Sequence, residues 1–114
     1  MARRDPIGPI IDMRDHAREA VALIGSCSRE DLDANRVLVL ALRKLVERIG
    51  EAAYRVPKKF QDDHPEIVWE KIVGMRNRLV HGYDAVDLDV LWSVVENDLP
   101  SLIARIEPFI ENRS

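Results

Sequence analysis

Apolar residues recur every three or four positions over four stretches of the chain, the spacing of one helix face. The first stretch predicts a helix from Pro9 to Ile24, with Ile10, Met13, Ala17, Val21 and Ile24 on its stripe and Gly25-Ser26 as its stop. The second predicts a long helix from Arg29 to Val56. Ser28 followed by Asp31 resembles a capping box at its start, with aspartate in place of the usual glutamate. Its main stripe is Leu38, Leu42, Leu45, Ile49, Ala52 and Val56, widened by Val39, Val46 and Ala53. The run Val37–Leu42 is apolar on every side, which marks a central helix or one that also meets a second subunit. Pro57 ends it.

Residues 58–65 read as a polar connection. A third helix is expected from near Pro65, carrying Trp69, Ile72, Val73, Leu79 and Val80, with Gly82 as its stop. Asp84 or Asp87 can cap the fourth. Its stripe of Leu88, Leu91, Val95, Leu99, Leu102, Ile106 and Phe109 keeps phase through Pro100, so one kinked or split helix is expected there. No stretch sustains a period of two, and no sheet is expected. The pattern predicts an all-α, antiparallel four-helix bundle in one domain over residues 1–114, with residues 1–8 as a flexible tail.

Composition changes this picture in three places. Aromatics are 5% of the chain, so aliphatic side chains must build the core. The formal net charge of −3 argues against broad, nonspecific nucleic-acid binding while leaving room for a local basic site. The single cysteine, Cys27, allows no intramolecular disulfide and suits a reducing compartment. Arg3 and Arg4 are followed by Asp5, Pro6 and Gly8 rather than the apolar core of a signal peptide. No apolar run approaches the ~18 residues of a membrane span. A cytoplasmic location is expected.

The third helix carries an anomaly. On a wheel of about 100° per residue, Trp69 lies about 20° from Arg76, Ile72 and Val80 about 40°, and Val73 and Leu79 about 60°. This reading centres Arg76 on the apolar stripe. A charge there must be paired, snorkel past the core edge, or face a cleft. Glu47 and Glu51 on the second helix are the candidate partners. Asn77 and His81, four apart, share another face, turned from Arg76 by roughly 100–140°. Arg76 and His81 can act together only if the helix ends near His81, if Arg76 reaches round, or if a second subunit completes the geometry.

Histidine titrates near neutrality and passes a proton either way, and arginine binds phosphate oxygens as a fork. The two suit RNA cleavage without a metal, in which the ribose 2′-hydroxyl attacks the adjacent phosphorus. Asn77 would hold the imidazole tautomer or a phosphate oxygen. Tyr83 would donate a hydrogen bond or stack on a base. The plainer readings are a helix-terminal histidine favoured by the macrodipole and a loop tyrosine packed on the core. No metal site or cofactor is expected: Asp62, Asp63, His64 and Glu66 read as a solvated loop, Asp12 and His16 as an exposed helix pair, and Cys27 as an incidental thiol.

The string Arg76-x4-His81-x-Tyr83 resembles the signature of the HEPN superfamily and, within it, the HepT-like ribonuclease toxins. Asn77 stands at the usual polar position after the arginine. Further similarity lies in Ile49-Gly50-Glu51-Ala52, His64-Pro65-Glu66, Trp69, Val86-Asp87-Leu88 and Asp98-Leu99-Pro100, over roughly residues 30–110; before Asp31 the match is loose. The resemblance implies a homodimeric helical bundle with the site in a cleft between subunits. It implies a metal-independent endoribonuclease toxin of a type VII-like toxin–antitoxin pair, with Arg76 and His81 catalytic and Asn77 supporting. It also implies a minimal nucleotidyltransferase antitoxin as partner, which adds AMP to Tyr83. The competing expectation is a noncatalytic helical module that binds a nucleotidyltransferase or a nucleotide.

Overall fold

The computed structural model describes residues 6–81 and 85–112, and of Val80 and His81 the backbone alone. The chain is all-α, as the periodicity predicts. Helix α1 spans Ile7–Leu23, so positions 7 and 8 of the expected tail are helical. Its stripe of Ile10, Met13, Ala17 and Ala20 is buried, and it packs against both the long central helix and the last helix.

The stretch expected to be one helix from Arg29 to Val56 is two. Helix α2 is a single turn, Asp31–Ala34, and α3 runs Arg36–Arg55. The cause is Asn35. Its backbone is extended and its side chain accepts the Leu38 N–H at 3.0 Å, so it starts a new helix where the old one would have continued. Of the expected Ser28–Asp31 capping box only one half forms: the Ser28 N–H donates to the Asp31 carboxylate at 2.8 Å, while the Asp31 N–H bonds the Ser28 carbonyl rather than its hydroxyl. The run Val37–Leu42 is not buried all round. Leu38, Val39 and Leu42 enter the core, while Val37 is 77% and Leu40 46% exposed.

The polar connection contains a helix, α4, Lys58–Asp63. Phe60 anchors it, packing on His64 at 4.3 Å and edge-on to Phe109 at 5.4 Å. The third stretch starts later than Pro65. Helix α5 spans Trp69–Val73, with the Trp69 indole N–H donating to the His64 carbonyl, and α6 spans Met75–Leu79. Gly74 separates them. There the Asn77 N–H bonds the Gly74 carbonyl at 3.0 Å, a three-residue closure tighter than the α-helical four.

A two-residue antiparallel ladder, which the sequence pattern did not predict, follows: β1 is Val80–His81 and β2 Ala85–Val86, paired Val80 to Val86 and His81 to Ala85. Gly82, expected as the helix stop, and Asp84 lie outside the described residues. The Asp87 N–H donates to the Leu79 carbonyl at 2.6 Å, fixing the ends of this excursion together. Of the two candidate caps, Asp87 acts, its carboxylate accepting the Val90 N–H at 3.1 Å. The fourth stretch is one continuous rod: α7 (Leu88–Ser93), a π-helical turn (Val94–Asp98) and α8 (Leu99–Glu111). Pro100 has no N–H for the Glu96 carbonyl, and the wide turn directly before it absorbs the mismatch. Leu91, Val94, Val95, Leu99 and Ile106 from this rod meet α1 and α3 in a single aliphatic core, where they are fully buried.

Candidate functional site

Gly50 decides where the site lies. A Cβ at this position would stand 3.1 Å from the Val73 carbonyl and 3.3 Å from that of Ile72. Any side chain here would push these carbonyls back by a few tenths of an ångström, so glycine lets the end of α5 press closely on α3. The contact places α6 alongside the second half of α3 and opens a cleft of about 510 Å³ between them. Arg76 and Asn77 line it from α6, with Val73 from α5. Glu47, Glu51, Tyr54 and Arg55 line it from α3.

Arg76 is not centred on a buried stripe. The buried residues of this stretch are Trp69, Ile72, Met75 and Leu79, and Arg76 is exposed. The wheel placed it centrally because it assumed unbroken 100° steps and left out Met75. The tight closure at Gly74 turns the following residues further, so Met75 takes the inward position and Arg76 the flank. Of the alternatives open to this arginine, the structure selects the cleft. Among the described residues Arg76 forms no ion pair. Glu47 faces the same cleft but engages Arg43, at 3.4 Å. An unpaired guanidinium on the wall of an open cleft has donors that an anion could take.

Asn77 lies beside Arg76 on the exposed side of α6 and lines the same cleft. The helix ends at Leu79, two residues before His81, and the chain turns extended. The angular separation that kept His81 away from Arg76 on a continuous helix therefore does not apply. The His81 backbone sits in β1, two residues beyond the end of α6; its side chain, and the whole of Tyr83, lie outside the described residues.

Two residues of the cleft were not singled out by the sequence reasoning. Tyr54 is 77% exposed at its edge, and Arg55 closes it while paired with Asp12 of α1 at 3.1 Å. The signal for Tyr54 was present: it follows Glu47 and Glu51 at spacings of four and three, on the same face of α3. The acidic residues around His64 each have a charged or titratable partner. Asp62 pairs with Lys58 at 2.7 Å, Asp63 with Lys59 at 3.4 Å, and Glu66 with His64 at 3.3 Å. The Asp62 carboxylate, as hydrogen-bond partner and charge, holds the Lys58 ammonium above its ordinary pKa. No group of three or more His, Cys, Asp or Glu side chains among the described residues is placed to hold a metal.

The family described as Ribonuclease HepT-like matches residues 13–109, which include α3, the cleft and the whole Arg76–Tyr83 string. A protein of Thermococcus cleftensis named "Probable ribonuclease HepT" is 37% identical over 84% of this chain and 91% of its own length. One of Methanocaldococcus jannaschii named "Putative RNase" is 27% identical over 94% of this chain and 98% of its own. Another of that printed description, from Caldanaerobacter subterraneus, is 32% identical over 74% of this chain and 75% of its own. No solved structure matches. The match reaches well ahead of Asp31, into α1, where the resemblance read from sequence was loose. The chain belongs to the HepT-like ribonuclease family.

Proposed function

We propose that this protein is an RNA endonuclease that cuts at the α3–α6 cleft with Arg76 and His81. One observation carries the reading: in a chain of this family, the arginine of the Arg76-x4-His81-x-Tyr83 string is exposed in an open cleft and unpaired among the described residues. The ribose 2′-hydroxyl attacks the adjacent phosphorus, and the 5′-oxygen of the next nucleotide leaves. The products are a 2′,3′-cyclic phosphate and a 5′-hydroxyl. His81 moves the proton, and Arg76 holds the non-bridging oxygens as their charge grows. Asn77, beside Arg76 on the cleft wall, orients the phosphate or the imidazole. Proton transfer and charge neutralisation both come from side chains, so the reaction needs no metal.

The enzyme works as a homodimer in this reading. Val37, Leu40, Lys44, Glu47, Glu51 and Tyr54 fall on one face of α3 at spacings of three and four, and its apolar members are exposed. The face ends in the cleft, so a second copy seated on it brings a second Arg76 and His81 close by. The protein acts in the cytoplasm as the toxin of a toxin–antitoxin pair. Its partner is a minimal nucleotidyltransferase that adds AMP to Tyr83. The added charge and bulk, two residues from His81, oppose an incoming RNA phosphate.

Purified protein should cleave single-stranded RNA in the presence of EDTA, and His81→Ala should not. Equal cleavage by the two proteins, or by neither, rejects the catalytic assignment. Stable binding of a nucleotidyltransferase by unmodified protein without RNA cleavage would favour the noncatalytic module. Intact mass after coexpression with the nucleotidyltransferase should rise by one or more AMP groups, and Tyr83→Phe should remove the rise.

A further inference from the structure

A second groove, of about 740 Å³, runs along the opposite flank of α6. It shares no lining residue with the cleft. Its rim carries three cations: Lys71 on α5, Arg78 on α6 and Arg105 on α8. Lys71 and Arg105 are exposed, and among the described residues neither pairs with a carboxylate. Among the described residues Arg105 donates only to the Glu66 carbonyl, at 3.4 Å. Arg78 is held at 3.2 Å by Asp98, which fixes it in place and spends part of its charge. The other acid in the groove, Glu66, is drawn toward His64 at 3.3 Å. Val68 is 53% exposed on the same surface.

Cations over an apolar floor are what a single nucleic-acid strand requires: charge for the phosphates and apolar surface for an unstacked base. The net charge of −3 sharpens the point. A molecule that repels RNA overall must hold it by local cations, and Arg76, Arg78, Lys71 and Arg105 extend from the cleft over α6 to α8. Resting on the ribonuclease reading above, we propose that this groove binds the single-stranded RNA flanking the cut site. Lys71 and Arg105 contact its phosphates, and a base lies over Val68. The groove thereby sets a preference for longer unpaired RNA over the shortest cleavable substrate.

The test is Lys71→Ala/Arg105→Ala, whose exposed positions spare the core. Binding of a fluorescent single-stranded RNA oligonucleotide is measured by anisotropy in a His81→Ala background, so that no cleavage intervenes. The double variant should bind at least roughly tenfold more weakly, with a salt dependence shallower by about 1.4 in log–log slope, about 0.7 per lost phosphate contact. With His81 restored, KM for the oligonucleotide should rise while kcat, and cleavage of a dinucleotide, stay unchanged. Unchanged oligonucleotide binding and KM overturn the proposal while wild-type cleavage keeps the ribonuclease reading. An equal loss on oligonucleotide and dinucleotide overturns it too, since the cations would then act at the cut site. Intact RNA binding with loss of a nucleotidyltransferase from the purified complex overturns it in favour of a protein-docking groove. Wild-type protein that neither binds nor cuts RNA overturns both readings.

Discussion

Arg76 is exposed in a single chain and makes no ion pair among the described residues, so stability and activity should separate sharply at this position. Replacing an exposed, unpaired side chain changes folding free energy by no more than about 0.5 kcal/mol. Losing a donor aimed at developing charge costs about 10²–10³ in rate. Arg76→Ala should therefore melt at nearly the wild-type temperature while RNA cleavage falls by that factor. Arg76→Lys should keep the charge but lose the two-pronged hold on a phosphate, and so recover only part of the rate. A large drop in melting temperature for Arg76→Ala would return the residue to a structural role. Asp87 is the contrasting case, since its carboxylate works within the fold by capping α7 through the Val90 N–H. Asp87→Ala should cost about 1 kcal/mol. Because the Asp87 N–H also closes onto the Leu79 carbonyl, the loss should appear first as faster amide exchange around residues 79 and 87–90.

At the level of elements, the cleft depends on how closely α5 approaches α3, and Gly50 sets that distance. Gly50→Val must push the Ile72 and Val73 carbonyls outward. The expected cost is about 1–3 kcal/mol, the usual range for overpacking, seen as a lower denaturant midpoint. Cleavage should fall further than stability, because Arg76 moves with α5 and α6. Gly50→Ala is milder, since the better helix propensity of alanine offsets about 1 kcal/mol of the clash. The same elements show what can be read from the chain in advance. The stripes of α1, α3 and the rod from α7 to α8 were legible because long amphipathic helices repeat their pattern often enough to fix its phase. The candidate string could be singled out because its residues are neighbours in sequence. Three features were not. Asn35 breaks a helix while the apolar pattern runs past it, so periodicity cannot register the break. Helix α4 has one large apolar anchor, Phe60, which is too few to define a period. Gly74 tightens a single turn, which moves Met75 inward and Arg76 to the flank; a wheel with uniform steps has no means of showing this.

At the scale of the whole molecule, α3 has two unlike faces. One carries Leu42, Val46, Ile49 and Ala53 into the core, and the other leaves Val37, Leu40 and Tyr54 exposed in a row that runs to the cleft. A solvent-facing row of this kind on the longest helix is what a symmetric pairing of two copies would cover. In the proposed reaction each chain would offer one arginine and one histidine, and pairing would juxtapose two of each. Wild-type protein should then sediment at twice the 13.1 kDa of the chain. Val37→Glu/Leu40→Glu should sediment as a folded monomer, since neither side chain contributes much to the core of a single chain. If the site is completed across the dimer, the monomer should lose RNA cleavage with Arg76 and His81 intact. A monomer that cuts RNA at the wild-type rate would show that the site is complete within one chain. A mixed dimer separates the two arrangements without disturbing the interface. One chain carries Arg76→Ala, the other His81→Ala, and the heterodimer is isolated by two different tags. If each site draws its arginine from one chain and its histidine from the other, one of the two sites remains whole, and symmetry predicts about half the wild-type rate per dimer. If both come from the same chain, neither site is whole, and the heterodimer should be as inactive as its parents.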